Sequence, residues 1–89
     1  MGSGDGTLLE FPCEFPLKII GRRSDDFAQQ VVAIVLRHAP DFRPETVEMR
    51  VSGGGNYLAV TCIIQAQSRP QLDDLYRALT AHPAVRVVL

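Results

Sequence analysis

Tryptophan is absent from this sequence, cysteine occurs only twice, and the formal net charge is −1. A balance so close to neutral leaves no long-range positive field to gather phosphates or anionic lipid. DNA and membrane surface are therefore not expected partners, and RNA binding is expected to be weak at most. The longest uninterrupted apolar run, Val31 to Leu36, falls far short of the roughly 20 residues that span a bilayer. Met1 to Thr7 lack a basic start followed by an apolar stretch, so the cytoplasm is the expected compartment.

Cys13 and Cys62 have no CxxC spacing and no Cys/His cluster around them. Two free thiols are the expectation in a reducing compartment, with no cofactor and no metal. Scattered Ser, His and acidic residues show none of the local signatures of nucleophilic enzymes, and Gly53-Gly54-Gly55 lacks the Lys-Ser/Thr and following helix of a phosphate loop. No catalytic residue can be assigned, and the sequence reads as that of a non-enzyme. One grouping depends on topology. If the first and third strands ran parallel, His38 and His82 would share one end with Cys13, and these are zinc-ligand residue types. Histidines in last helical turns, favoured there by the helix dipole, explain the same residues more simply.

What is present is patterning. Hydrophobic residues make up 46% of the chain, enough for one core at this length. Residues 1–7 are expected to be a flexible tail, and 8–89 a single domain. Phe15, Leu17 and Ile19 alternate with Pro16, Lys18 and Ile20 as a strand that Gly21 ends. Ser24 is the expected N-cap of a first helix, with Asp25 and Asp26 in its first turn and Phe27, Val31, Ile34, Val35 and His38 on one stripe before Pro40. Pro44 to Ser52 reads as a strand with Val47, Met49 and Val51 on its apolar side. The glycine run to Asn56 is a hairpin turn, and Leu58, Val60, Cys62, Ile64 and Ala66 share one face of the next strand. Ser68 and Pro70 open a second helix with Leu72, Leu75, Tyr76 and Leu79 on its stripe, and Val85, Val87 and Leu89 form a last strand.

The order strand, helix, strand, strand, helix, strand defines the expected fold class, α+β. It is a ferredoxin-like βαββαβ two-layer sandwich, a four-stranded antiparallel sheet with both helices on one face. The other face should carry Lys18, Ile20, Glu48, Arg50, Tyr57, Thr61, Gln65, Arg86 and Val88.

Several words of the sequence, in order, resemble a known family. They are Leu8-Leu9-Glu10-Phe11-Pro12, Phe15 to Gly21, His38-Ala39-Pro40, Gly55-Asn56-Tyr57, Gln71 to Tyr76 and Val85 to Leu89. Together they cover about residues 8 to 89 and resemble the YbeD-like family, small bacterial cytosolic proteins of undetermined function. The resemblance implies a fold similar to the ACT regulatory domains that bind amino acids beside metabolic enzymes. It brings no catalytic residues.

Two surfaces are candidates for function. Leu8, Leu9, Phe11, Ile20, Arg50, Tyr57 and Val88 make up a protein-contact set, on an apolar arm and the open sheet face, for a protein partner or a second copy. Gly21, Arg22, Arg23 and Ser24 make up a ligand loop, where two guanidiniums beside helix N–H groups would take an amino acid or other small anion as effector. The leading expectation is an accessory or regulatory domain acting through contact. ACT-like ligand sensing is the alternative, and weak RNA binding on the open face a further one.

Overall fold

A computed structural model describes residues 10–89. The expected tail, and Leu8 and Leu9 of the contact set, lie outside the described residues. Four strands and two helices follow in the order β1 (Cys13–Arg22), α1 (Phe27–His38), β2 (Glu48–Ser52), β3 (Tyr57–Ala66), α2 (Arg69–Thr80) and β4 (Val85–Val88). The sheet order is β2-β3-β1-β4, and every neighbouring pair is antiparallel. This is the ferredoxin-like βαββαβ arrangement.

β1 and β3 pair along their full length, from Cys13 opposite Ala66 to Arg22 opposite Tyr57. At about 3.4 Å per residue they form a central ribbon about 34 Å long, nearly twice the roughly 18 Å of each twelve-residue helix. Alternation decides which side of the ribbon the helices cover. Leu17 and Ile19 of β1 join Val60, Cys62 and Ile64 of β3 in one core cluster with Phe27, Val31 and Val35 of α1 and Leu72, Leu75 and Leu79 of α2. All of these are essentially inaccessible to solvent. Fully burying side chains of this size contributes roughly 1.5 to 3 kcal/mol each before the entropy cost of ordering them.

The helix ends differ in a way that residue identity explains only in part. Ser68 caps α2 as expected, its Oγ accepting from the Gln71 N–H at 3.2 Å. Gln71 does more. Its Oε1 accepts from the Gln67 N–H at 2.6 Å, and its Nε2 donates to the His38 carbonyl at 2.8 Å, tying the start of α2 to the end of α1. α1, by contrast, is not capped by Ser24. It begins at Phe27, and the Ser24 hydroxyl donates to Asp26 at 3.0 Å while the Asp26 carboxylate also accepts from Gln30 Nε2 at 3.0 Å. Asp26 thus spends the Ser24 hydroxyl on itself, and the helix starts two residues later than the sequence pattern predicts.

Three further expectations are corrected. Gly21 does not end its strand but lies buried inside β1. Pro44–Thr46 is a single 3-10 turn, so β2 is only the five residues that follow Val47. Met49 and Val51 point to the helix side, paired with Val60 and Leu58, yet are 57% and 47% exposed, because β2 is an outer strand that overhangs the core cluster. Among the described residues no helix is long and apolar enough to cross a membrane.

Candidate functional site

The first and third strands are antiparallel, which puts the two helix C-termini at opposite ends of the molecule. His38 lies at the Cys13 end, beside the start of α2, its Nδ1 donating to the Ile34 carbonyl at 3.0 Å. His82 lies at the other end, where its Nδ1 accepts from the Ala84 N–H at 3.1 Å. That bond leaves the proton on Nε2, which donates to Gln30 Oε1 at 2.6 Å. The grouping of both histidines with Cys13 is therefore undone by strand direction. The thiols are also apart: Cys13 pairs with Ala66 and Cys62 with Leu17, four residues or about 13 Å along the ribbon. Burial pushes the Cys62 thiol from its ordinary 9.0 up to about 11, since the surrounding side chains cannot solvate a thiolate.

The loop leaving β1 meets the hairpin turn between β2 and β3. Arg23 latches the two together: its backbone N–H donates to the Asn56 carbonyl at 2.9 Å, and its Nη1 donates to the Gly55 carbonyl at 3.2 Å. The turn presents these carbonyls because Gly53, Gly54 and Gly55 all have positive φ. Between loop and turn lies an open concavity of about 630 Å³, lined by Arg22, Arg23, Ser24, Asp25, Gly55, Asn56 and Tyr57. Three of the four residues in the ligand loop line it. Gly21 does not, because the place a side chain would occupy is filled by the Phe27 ring and the Ala84 carbonyl. Asn56 and Tyr57 enter through topology, since nothing in the sequence says that the turn folds back onto residues 22–25.

The second candidate is the sheet face turned away from the helices. Register places Pro16, Lys18, Ile20 and Arg22 of β1 opposite Ile63, Thr61, Ala59 and Tyr57 of β3, and Glu48 and Arg50 of β2 opposite Thr61 and Ala59. Ile20 and Arg50 of the contact set are on this face. Tyr57 is too, although its ring lies against Gly53, where an added Cβ would come within 2.5 Å of it. Val88 is not. The register between β1 and β4 shifts after Ile20, so that Val88 pairs with Ile19 and Val85 with Gly21, and both pack on the core side. The shift turns Val87, opposite Ile20, to the open face, where it is 42% exposed, with Ile63 46% exposed toward the other end. Ile63 could have been found from alternation alone, as the residue between inward Cys62 and Ile64. Val87 could not, because the extra residue in β4 leaves no mark on the sequence. Phe11 packs, half-buried, against the chain's own core cluster.

Comparison with known proteins agrees with the fold and the family. The chain is 54% identical over 83 residues to a UPF0250 protein of Ralstonia nicotianae, covering 93% of this chain and 86% of that one. It is 48% identical over 89 residues to a UPF0250 protein of Paraburkholderia phytofirmans, covering the whole of both. Among solved structures, protein HP0495 of Helicobacter pylori superposes with a TM-score of 0.73 at 11% identity, covering 100% of this chain and 98% of that one. The ACT domain from the GTP pyrophosphokinase of Chlorobium tepidum superposes with a TM-score of 0.63 at 13% identity, covering 85% and 94%. At such identities these structures establish an ACT-like, ferredoxin-like fold and nothing about ligands. A family model described as "Protein of unknown function (DUF493)" matches residues 6–89, and the chain belongs to that family, the YbeD-like or UPF0250 proteins.

Proposed function

We propose that this domain is a non-catalytic accessory or regulatory module that works by contact, with the open sheet face as the surface it offers a protein partner. The observation that carries the reading is that half-exposed apolar side chains, Ile63 and Val87, stand on a face with no second layer among the described residues. Lys18, Glu48, Arg50 and Thr61 share that face and make it polar, the first three with both signs of charge. A mixed apolar and charged patch of this kind suits a protein interface better than a nucleic-acid one, which would need several aromatics and a positive field. The test is affinity capture with the wild-type domain beside Val87→Asp and Ile63→Asp. Both substitutions sit at exposed positions and should leave the melting temperature within a few degrees. Loss of the same partner with both variants supports the face; identical capture by all three removes it.

A second reading has its own observation, the polar concavity where Arg22, Arg23 and Ser24 meet Asn56. Two arginines against one aspartate favour a small anion there, and an ACT-like effector such as an amino acid would present a carboxylate to them. A ligand of the native state raises the melting temperature by mass action. A thermal-shift screen of amino acids and small anions with no shift at millimolar concentration would dispose of this second role.

A further inference from the structure

We propose that the outer edge of β2 binds a second copy of this chain, edge to edge about a two-fold axis centred on Met49, joining two four-stranded sheets into one continuous sheet. β2 is a terminal strand of the sheet, all five of its residues are exposed, and its register with β3 runs without a bulge. Such an edge leaves unpaired main-chain groups, which proteins usually protect with bulges, prolines or inward charges. None of these lies within Glu48–Ser52.

The residues of the strand say which partner fits. Antiparallel self-pairing centred on Met49 sets Glu48 of each copy opposite Arg50 of the other, on the open face. On the helix side it sets Met49 opposite Met49 and Val47 opposite Val51. Met49 and Val51, which overhang the core of a single copy at 57% and 47% exposure, are thereby covered by their counterparts. Neither Glu48 nor Arg50 is in an ion pair among the described residues, so both are available across the edge. Centring the axis on Arg50 would instead oppose two guanidiniums. Registers centred between residues would turn the helices of the two copies to opposite sides and set apolar side chains against charged ones. Charge and hydrophobicity thus agree on one register, which adds about four to six main-chain hydrogen bonds. In that arrangement both helical layers lie on one side and both open faces on the other, so the dimer presents its contact surface twice, a source of avidity toward a partner with two sites.

A five-residue edge buries little area, so the pairing belongs to the weak, reversible class. Sedimentation equilibrium at low salt, from about 10 μM to about 1 mM, should show wild type passing from monomer to dimer. Arg50→Glu places a carboxylate opposite Glu48 twice per dimer, and Glu48→Arg sets two guanidiniums together twice. Each should weaken association by about tenfold or more. The double swap, E48R with R50E, recreates both pairs with reversed polarity and should return the affinity to within about threefold of wild type. Rescue by the double variant separates a specific register from mere misfolding. A wild type that stays monomeric to the top of the range, single variants that associate like wild type, or a double variant as weak as the singles would each overturn the proposal. The proposed role of the open face stands or falls separately, on Val87 and Ile63.

Discussion

Gly21→Ala tests the packing that joins β1, α1 and β4. An added Cβ at this position would come within 2.4 and 2.7 Å of two Phe27 ring carbons and 2.6 Å of the Ala84 carbonyl oxygen. Ordinary contact begins near 3.4 Å, so the methyl is up to about 1 Å too close on two sides. Neither obstacle yields easily. The Phe27 ring is inaccessible to solvent and stands edge-on to His82 with centroids 5.9 Å apart, and the Ala84 oxygen accepts from the Arg22 N–H at 2.9 Å. Overpacking costs about 1 to 3 kcal/mol. Stretching the bond between Arg22 and Ala84 adds about 1 kcal/mol. The reduced freedom of the unfolded chain returns about 0.5 to 1 kcal/mol. The expected net loss is therefore about 1 to 3.5 kcal/mol, read as a lower urea midpoint at unchanged slope and a fall in melting temperature of about 5 to 25 °C. Phe27→Leu removes part of the ring, so combining it with Gly21→Ala should cost less than the two changes added together, by about 1 kcal/mol. A Gly21→Ala variant within 0.5 kcal/mol of wild type would refute the close-packing argument, at about the ordinary scatter of neutral surface changes. Strict additivity would show that the ring is not the obstacle.

Other expectations follow from single contacts. Gln71→Ala removes both the bond to the Gln67 N–H and the tie to the His38 carbonyl, and chemical denaturation should show a loss of about 1 to 2 kcal/mol, at least as large as that of Ser68→Ala. The Cys62 thiol is held at about 11 against 9.0 when exposed, so between those pH values the unfolded chain has released a proton that the folded one keeps. The stability tied to this group is complete below pH 9 and is lost as the pH rises toward 11, by about 2 kcal/mol. Urea midpoints across that window should fall more steeply for wild type than for Cys62→Ala, and equal slopes would contradict the burial. In the hairpin turn, Gly54→Ala meets only its positive φ of 67°, with open space around it, and should cost about 1 kcal/mol. Gly53→Ala also meets the Tyr57 ring at 2.5 Å, and its thermal unfolding should begin clearly lower.

The sequence by itself determined the element order and the inner faces of β1, β3 and the two helices. Period-two and helical spacing leave Leu17, Ile19, Val60, Phe27, Val31 and Leu75 only one way to leave water together, and three successive glycines announce the turn. Local chemistry was equally plain at Ser68, where no neighbour competes for the cap. At Ser24 a competing carboxylate two residues on took the hydroxyl, a contest that residue preference cannot score.

Tertiary structure alone decided the rest, because the deciding interactions join residues far apart in the chain. Strand direction separated His38 from His82, and the placement of β2 at the rim left Met49 and Val51 uncovered despite their apolar pattern. One extra residue in β4 exchanged Val88 for Val87 on the open face, since a side chain's side of a sheet depends on the partner strand's register as much as on its own alternation.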